Sequence, residues 1–149
     1  MRQEFVMRGQ TASGETEVLN FSGYKPGYAY RMTEFKLYPS TNVGGAFAEL
    51  VGTVTAGKTA VVPTDPNFNN EGLIAVSAIS FGTTLANELS PSITVINDTF
   101  LITQNLILMV IDSGTGGAPV NWQCRFVAET MSGPEEAVAN YKQFTISDD

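Results

Sequence analysis

The stretch Pro119-Val120-Asn121-Trp122-Gln123-Cys124-Arg125-Phe126-Val127-Ala128-Glu129 decides the fold class. Val120, Trp122, Cys124, Phe126 and Ala128 are apolar, while Asn121, Gln123, Arg125 and Glu129 are polar. Side chains of a strand point alternately to its two faces, so this period of two predicts a strand with one face on a core. Upstream, Asn105 to Asp112 is almost entirely apolar, which suits a strand covered on both faces. The intervening Asp112-Ser113-Gly114-Thr115-Gly116-Gly117-Ala118-Pro119 is dense in turn formers, and strand, glycine loop, strand reads as a hairpin.

The same grammar extends to the rest of the chain. Further strands are predicted at Glu4 to Arg8, Glu17 to Phe21, Tyr28 to Tyr38, Ala46 to Thr55, Thr59 to Val62, Gly72 to Phe81, Ile93 to Ile96 and Phe144 to Ile146. Aromatic parity slips between Tyr30 and Phe35, which predicts a bulge near Thr33. Only Ser132-Gly133-Pro134-Glu135-Glu136 argues for helix, with a cap, a first-turn proline and acids suited to a helix N-terminus. Ala137, Val138 and Tyr141 would form its apolar face. The expectation is a single all-β domain over residues 1–149, an antiparallel β-sandwich of jelly-roll-like type with one short C-terminal helix. The missing Cys…Trp…Cys pattern argues against a true immunoglobulin domain.

Composition narrows the chemistry. The chain has 149 residues, a net charge of −7 and no histidine. Without imidazole, the commonest general base and metal ligand near neutral pH is missing, and thiol–imidazole and serine–histidine catalysis fall with it. The eight Lys and Arg residues are scattered singly, so an acidic surface would meet phosphate backbones, and nucleic acid is not an expected partner. One cysteine, Cys124, cannot form an internal disulfide and alternates in phase with the core. No apolar leader follows Met1, and the longest apolar run, Leu106 to Ile111, is too short to span a bilayer, so no membrane role is expected.

Four patterns bear on chemistry. Asp112-Ser113-Gly114-Thr115 matches the aspartic-protease signature, and a homodimer would have to supply the second carboxylate of the shared-proton pair. The apolar-apolar-Gly segment that such enzymes place late in the chain is absent, and a loop of small residues explains the match equally well. Asp65, Asn67, Asn69 and Glu71 alternate as calcium ligands do, but Asn70 stands where the EF-hand needs glycine, and Asx turns look the same. Gly52 to Thr59 spells a phosphate-loop pattern ending in Gly57-Lys58-Thr59, yet a β-branched run stopped by Pro63 follows where a helix should begin. Tyr24, Tyr28, Tyr30, Tyr38 and Phe68 lie in or beside loops, either capping the core or forming a contact surface for sugar or protein. No catalytic group, cofactor or metal is expected on these grounds.

From Ile96-Asn97-Asp98-Thr99-Phe100-Leu101-Ile102-Thr103, read as a hairpin, through Leu106 to Phe126, the chain resembles small jelly-roll structural proteins of bacteriophage and viral particles. That resemblance implies a virion protein: capsid, decoration (cement) or appendage. Its partners would be further copies of itself and a major shell protein. The acidic charge and lack of a basic arm favour a decoration or appendage over a genome-lining shell. Two alternatives remain open: a carbohydrate-binding or adhesin sandwich using the loop tyrosines, and a homodimeric protease using Asp112.

Overall fold

A computed structural model describes residues 3–21, 27–41, 48–57, 59–81, 92–113, 117–130, 134 and 138. Its described strands are β1 (Gln3–Thr11), β2 (Thr16–Leu19), β3 (Tyr28–Pro39), β4 (Ala48–Thr55), β5 (Leu73–Phe81), β6 (Ser92–Ile96), β7 (Leu106–Asp112) and β8 (Val120–Thr130). They form a three-stranded sheet in the order β1-β8-β3 and a five-stranded sheet in the order β2-β7-β4-β5-β6, every pair antiparallel. Pairing is nested: β1 with β8, β2 with β7, β4 with β5. These are three of the four nested pairs of a jelly roll, within an antiparallel β-sandwich.

One pair of the nested set departs from that plan. β6 would lie beside β3, but it stays with β5 at the margin of the larger sheet. Beyond β6, Ile102 makes a backbone bridge to β3 through reciprocal bonds with Tyr30 of 2.8 and 3.0 Å. The segment Ile96 to Thr103 is therefore a crossing between sheets rather than a hairpin.

The glycine loop before β8 is likewise no hairpin, since β7 and β8 belong to different sheets. The reason is that both strands have a face to bury. Leu106, Leu108 and Val110 of β7 and Val120, Trp122, Cys124 and Phe126 of β8 are all buried, and they face one another across the core. The backbone register slips between Met32 and Glu34, which places the bulge at Thr33 as the aromatic parity predicts. Thr59 to Val62 is not a strand. It folds back over β4, where the Thr53 hydroxyl donates to the Val61 carbonyl at 2.6 Å.

Between the sheets lie Met32, Phe35 and Leu37 of β3 and Leu50 and Val54 of β4, all buried. Toward one end, Phe5, Phe21, Tyr30 and Phe126 form an aromatic cluster with ring centroids 5.1–6.2 Å apart. Further along β8, Trp122 lies over Gly9, its cross-strand partner, and its indole N–H donates to Thr11 Oγ1 at 2.9 Å. A Cβ at Gly9 would come within 2.9 Å of that ring, so glycine is what lets the indole lie flat. The expected strand at Phe144 to Ile146 lies outside the described residues, as does most of the expected C-terminal helix. Pro134 and Val138 have helical backbone, and Val138 is exposed.

Candidate contact surfaces

The tyrosines and Phe68 singled out in the sequence do not share one surface. Tyr24 lies outside the described residues. Tyr30 is half-buried in the aromatic cluster, 5.2 Å from Phe21 and 5.6 Å from Phe5 by ring centroids, and so caps the core. Tyr28 and Tyr38 are both exposed, but they stand near opposite ends of β3, roughly 33 Å apart along an extended strand. Tyr38 borders a shallow groove of about 490 Å³ with Arg8, Lys36, Asn121, Trp122 and Gln123. Exposed Phe68 sits in the β4–β5 loop and borders a shallow groove with Leu73, Val76 and Val95 of the other sheet.

The chemical patterns have local structural roles. The Asp112 carboxylate accepts the Ala118 N–H at 3.2 Å across the glycine loop, while its own N–H donates to Ser13 Oγ at 2.8 Å. In the Asp65–Glu71 loop, Asn67 Oδ1 accepts the Asn69 N–H and Asn70 Oδ1 accepts the Gly72 N–H, both at 2.9 Å. These are Asx turns, in which a side chain bonds the backbone two residues on. Among the described residues no group of three or more acidic or cysteine side chains could hold a metal ion. Gly52, the first glycine of the phosphate-loop pattern, lies inside β4, where a Cβ would meet Phe35 Cζ at 3.1 Å and Leu37 Cδ1 at 3.2 Å. It is a packing position between sheets. Burial pushes the Cys124 thiol far up from its ordinary value, with the Glu34 charge adding to the effect, so its reactive thiolate is suppressed. No helix among the described residues is long and apolar enough to cross a membrane.

The outward faces of the two sheets differ in kind. On the three-stranded sheet the outward charged and amide side chains form a polar mesh, with exposed Val6 and buried Ala29 and Val127 on the same face. Arg125 lies 3.9 Å from Glu4 and 4.0 Å from Glu34, Lys36 lies 3.7 Å from Glu34, and Arg31 lies 2.8 Å from Glu129. The Gln123 amide donates to Glu34 at 2.9 Å. That hydrogen bond chiefly holds the Glu34 carboxyl below its usual range, against the opposing effect of burial and with help from Lys36 and Arg125.

The five-stranded sheet turns a different set outward. Register aligns Ile111, Val51, Ala78 and Ile93 in one row, and Thr16, Met109, Thr53, Val76 and Val95 in the next. Neither row contains a charge. The β4–β5 loop crosses at Thr53, and the margins remain open: Val18 on β2, and Ile93 and Val95 on β6, are exposed. Thus the apolar run of β7 is buried on its even-numbered face, while Ile107, Met109 and Ile111 are only half-buried.

Among the described strands, β6 is the least covered. Ser92, Ile93, Thr94 and Val95 are exposed in succession, so neither of its faces is sealed. Ile93 and Val95 keep 64% and 47% of their surface in solvent. On its inner side the Thr94 hydroxyl bonds the Ser77 hydroxyl at 2.9 Å and donates to the Phe35 carbonyl at 3.4 Å. Among the described residues, the Thr94 side chain hydrogen-bonds β6 to β3 where a jelly roll would have a backbone ladder. Sequence reading passed over this feature, although the signal was present: Ser92-Ile93-Thr94-Val95-Ile96 has high β propensity without charge or proline.

No protein-family model matches the chain, and no curated protein matches it significantly in sequence.

Proposed function

We propose that the protein is a non-enzymatic structural component of a virus particle, a decoration (cement) or appendage protein held by contacts with its own copies and with a major shell protein. The observation that carries this reading is the asymmetry of the sandwich. One outward face carries a mesh of ion pairs and amide hydrogen bonds around Glu34, while the other presents two uncharged rows that end in an exposed β strand. Neighbouring exposed apolar side chains such as Ile93 and Val95 suit contact with another protein. The jelly-roll-like pairing adds an analogy, since that architecture serves viral shells, although it also serves lectins and enzymes. The net charge of −7 favours a place on the outside of a particle over a lining against nucleic acid. Tyr28 and Tyr38 stand too far apart on β3 to stack on one sugar ring, which weakens the sugar-binding reading.

Imaging and mass spectrometry of particles assembled with and without this protein test the proposal. Many copies per particle, and density at the outer surface that disappears without the protein, are the expected result. Purified particles that never contain it would refute the reading.

A further inference from the structure

We infer that β6 is a self-association edge, and that two copies of the chain pair antiparallel through it about a two-fold axis at Thr94. This rests on the reading that the protein works by contacts with itself, and it names the strand that does so. The Asn97 N–H donates to the Ile74 carbonyl at 2.8 Å, which fixes the parity of the β5–β6 ladder. In an antiparallel ladder alternate residues direct their backbone groups to one neighbour. Ile93 and Val95 therefore bond β5, and the N–H and C=O groups of Ser92, Thr94 and Ile96 point to the open margin. No described residue pairs with them there.

The other sheet margins are protected in ways that β6 is not. β1 carries Glu4 and Arg8, and β2 is only four residues long and includes Glu17. β3 has Arg31, Glu34 and Lys36, a bulge at Thr33 and the bridge to Ile102. Charges, bulges and short length are the devices that keep sheet edges from pairing. β6 has no charge, no proline and no register shift against β5.

A second copy is the occupant that this edge fits. Turned about Thr94, the strand is its own complement: Thr94 faces Thr94 of the second copy, Ile93 faces Val95, and Ser92 faces Ile96. Thr94, Ser92 and Ile96 then fall in hydrogen-bonded pairs, as their free backbone groups require. Ile93 and Val95 fall in the closer non-hydrogen-bonded pairs, so the two most exposed apolar side chains of the strand cover each other. Charge points the same way. Each copy carries −7, and β6 lets two such molecules meet with no carboxylate in the paired segment. Such a two-fold contact closes on itself as a dimer.

Light scattering on size-separated protein, up to about 0.5 mM because so short a strip belongs to the weak end of interface sizes, is the first test. The expected result is a concentration-dependent dimer. Ile93→Lys or Val95→Lys should weaken it at least about tenfold, as edge lysines do, while Glu4→Lys on the opposite sheet should not. The double variant Ile93→Cys/Val95→Cys should give a disulfide-linked dimer on oxidation, and neither single variant should, because the facing Cα atoms would be about 4.5 Å apart. Trp122 emission verifies that each variant is folded. A wild-type chain that stays monomeric, or a dimer indifferent to both lysine variants and not trapped by the cysteine pair, would overturn the inference. A dimer that never enters particles would instead overturn the virion reading and leave this one standing.

Discussion

Thr11→Val removes the hydroxyl that accepts the Trp122 indole N–H at 2.9 Å, and it does so without changing the shape of the side chain. Both residues are buried, at 5% and 7% exposure, so water has little access to the orphaned donor. An unsatisfied buried donor of this kind costs about 1–3 kcal/mol. For a domain of this size that is a fall in Tm of roughly 2–10 °C. The assay is urea denaturation, followed by the emission of the only tryptophan and by far-ultraviolet circular dichroism. A double-mutant cycle isolates the cause. In a Trp122→Phe background there is no N–H to orphan, so Thr11→Val should cost less than about 0.5 kcal/mol, leaving a coupling of at least 1 kcal/mol. If Thr11→Val costs the same in both backgrounds, or nothing in the wild type, the hydrogen bond is not what holds Trp122 over Gly9.

Three further predictions concern the core and the polar face. Gly52→Val forces a branched side chain against Phe35 and Leu37, where a Cβ alone meets atoms at 3.1–3.3 Å; thermal melting should show a loss of about 1–3 kcal/mol. Glu34 has a lowered pKa in the folded state, so its contribution is full above the unfolded carboxyl value and disappears as pH falls through the folded one. Glu34→Gln should therefore cost about 0.5–1 kcal/mol at pH 7, and a pH series of urea melts should show its stability converging with the wild type's in acid. Cys124, buried and with its thiolate suppressed, should react with a thiol reagent only in step with global unfolding across a urea series.

Much of the fold is legible in the sequence because the inner faces are written in a period of two. Val120, Trp122, Cys124 and Phe126 gave both the strand and its buried side, and the aromatic slip in β3 gave the bulge at Thr33. What the pattern could not give was partnership. β7 and β8 look like a hairpin because a glycine loop joins them, yet each has an apolar face to bury, and facing across the core buries both. Thr59 to Val62 has strand composition but bonds the Thr53 and Thr55 hydroxyls instead of a backbone ladder. The contact surface was hardest to read. Aromatic rings drew attention to Tyr30, which packs inside, whereas the exposed edge is five small and β-branched residues. Its exposure follows from where β6 falls in the sheet order, and local sequence does not encode that order.

Residue-resolved amide hydrogen exchange of β6 as a function of protein concentration tests the central claim most directly. In dilute protein the Thr94 and Ile96 amides, which point to the open margin, should exchange fast, and those of Ile93 and Val95, bonded to β5, slowly. At high concentration Thr94 and Ile96 should become protected while Ile93 and Val95 change little. Amides of Thr94 and Ile96 that exchange equally fast at every concentration would contradict the account.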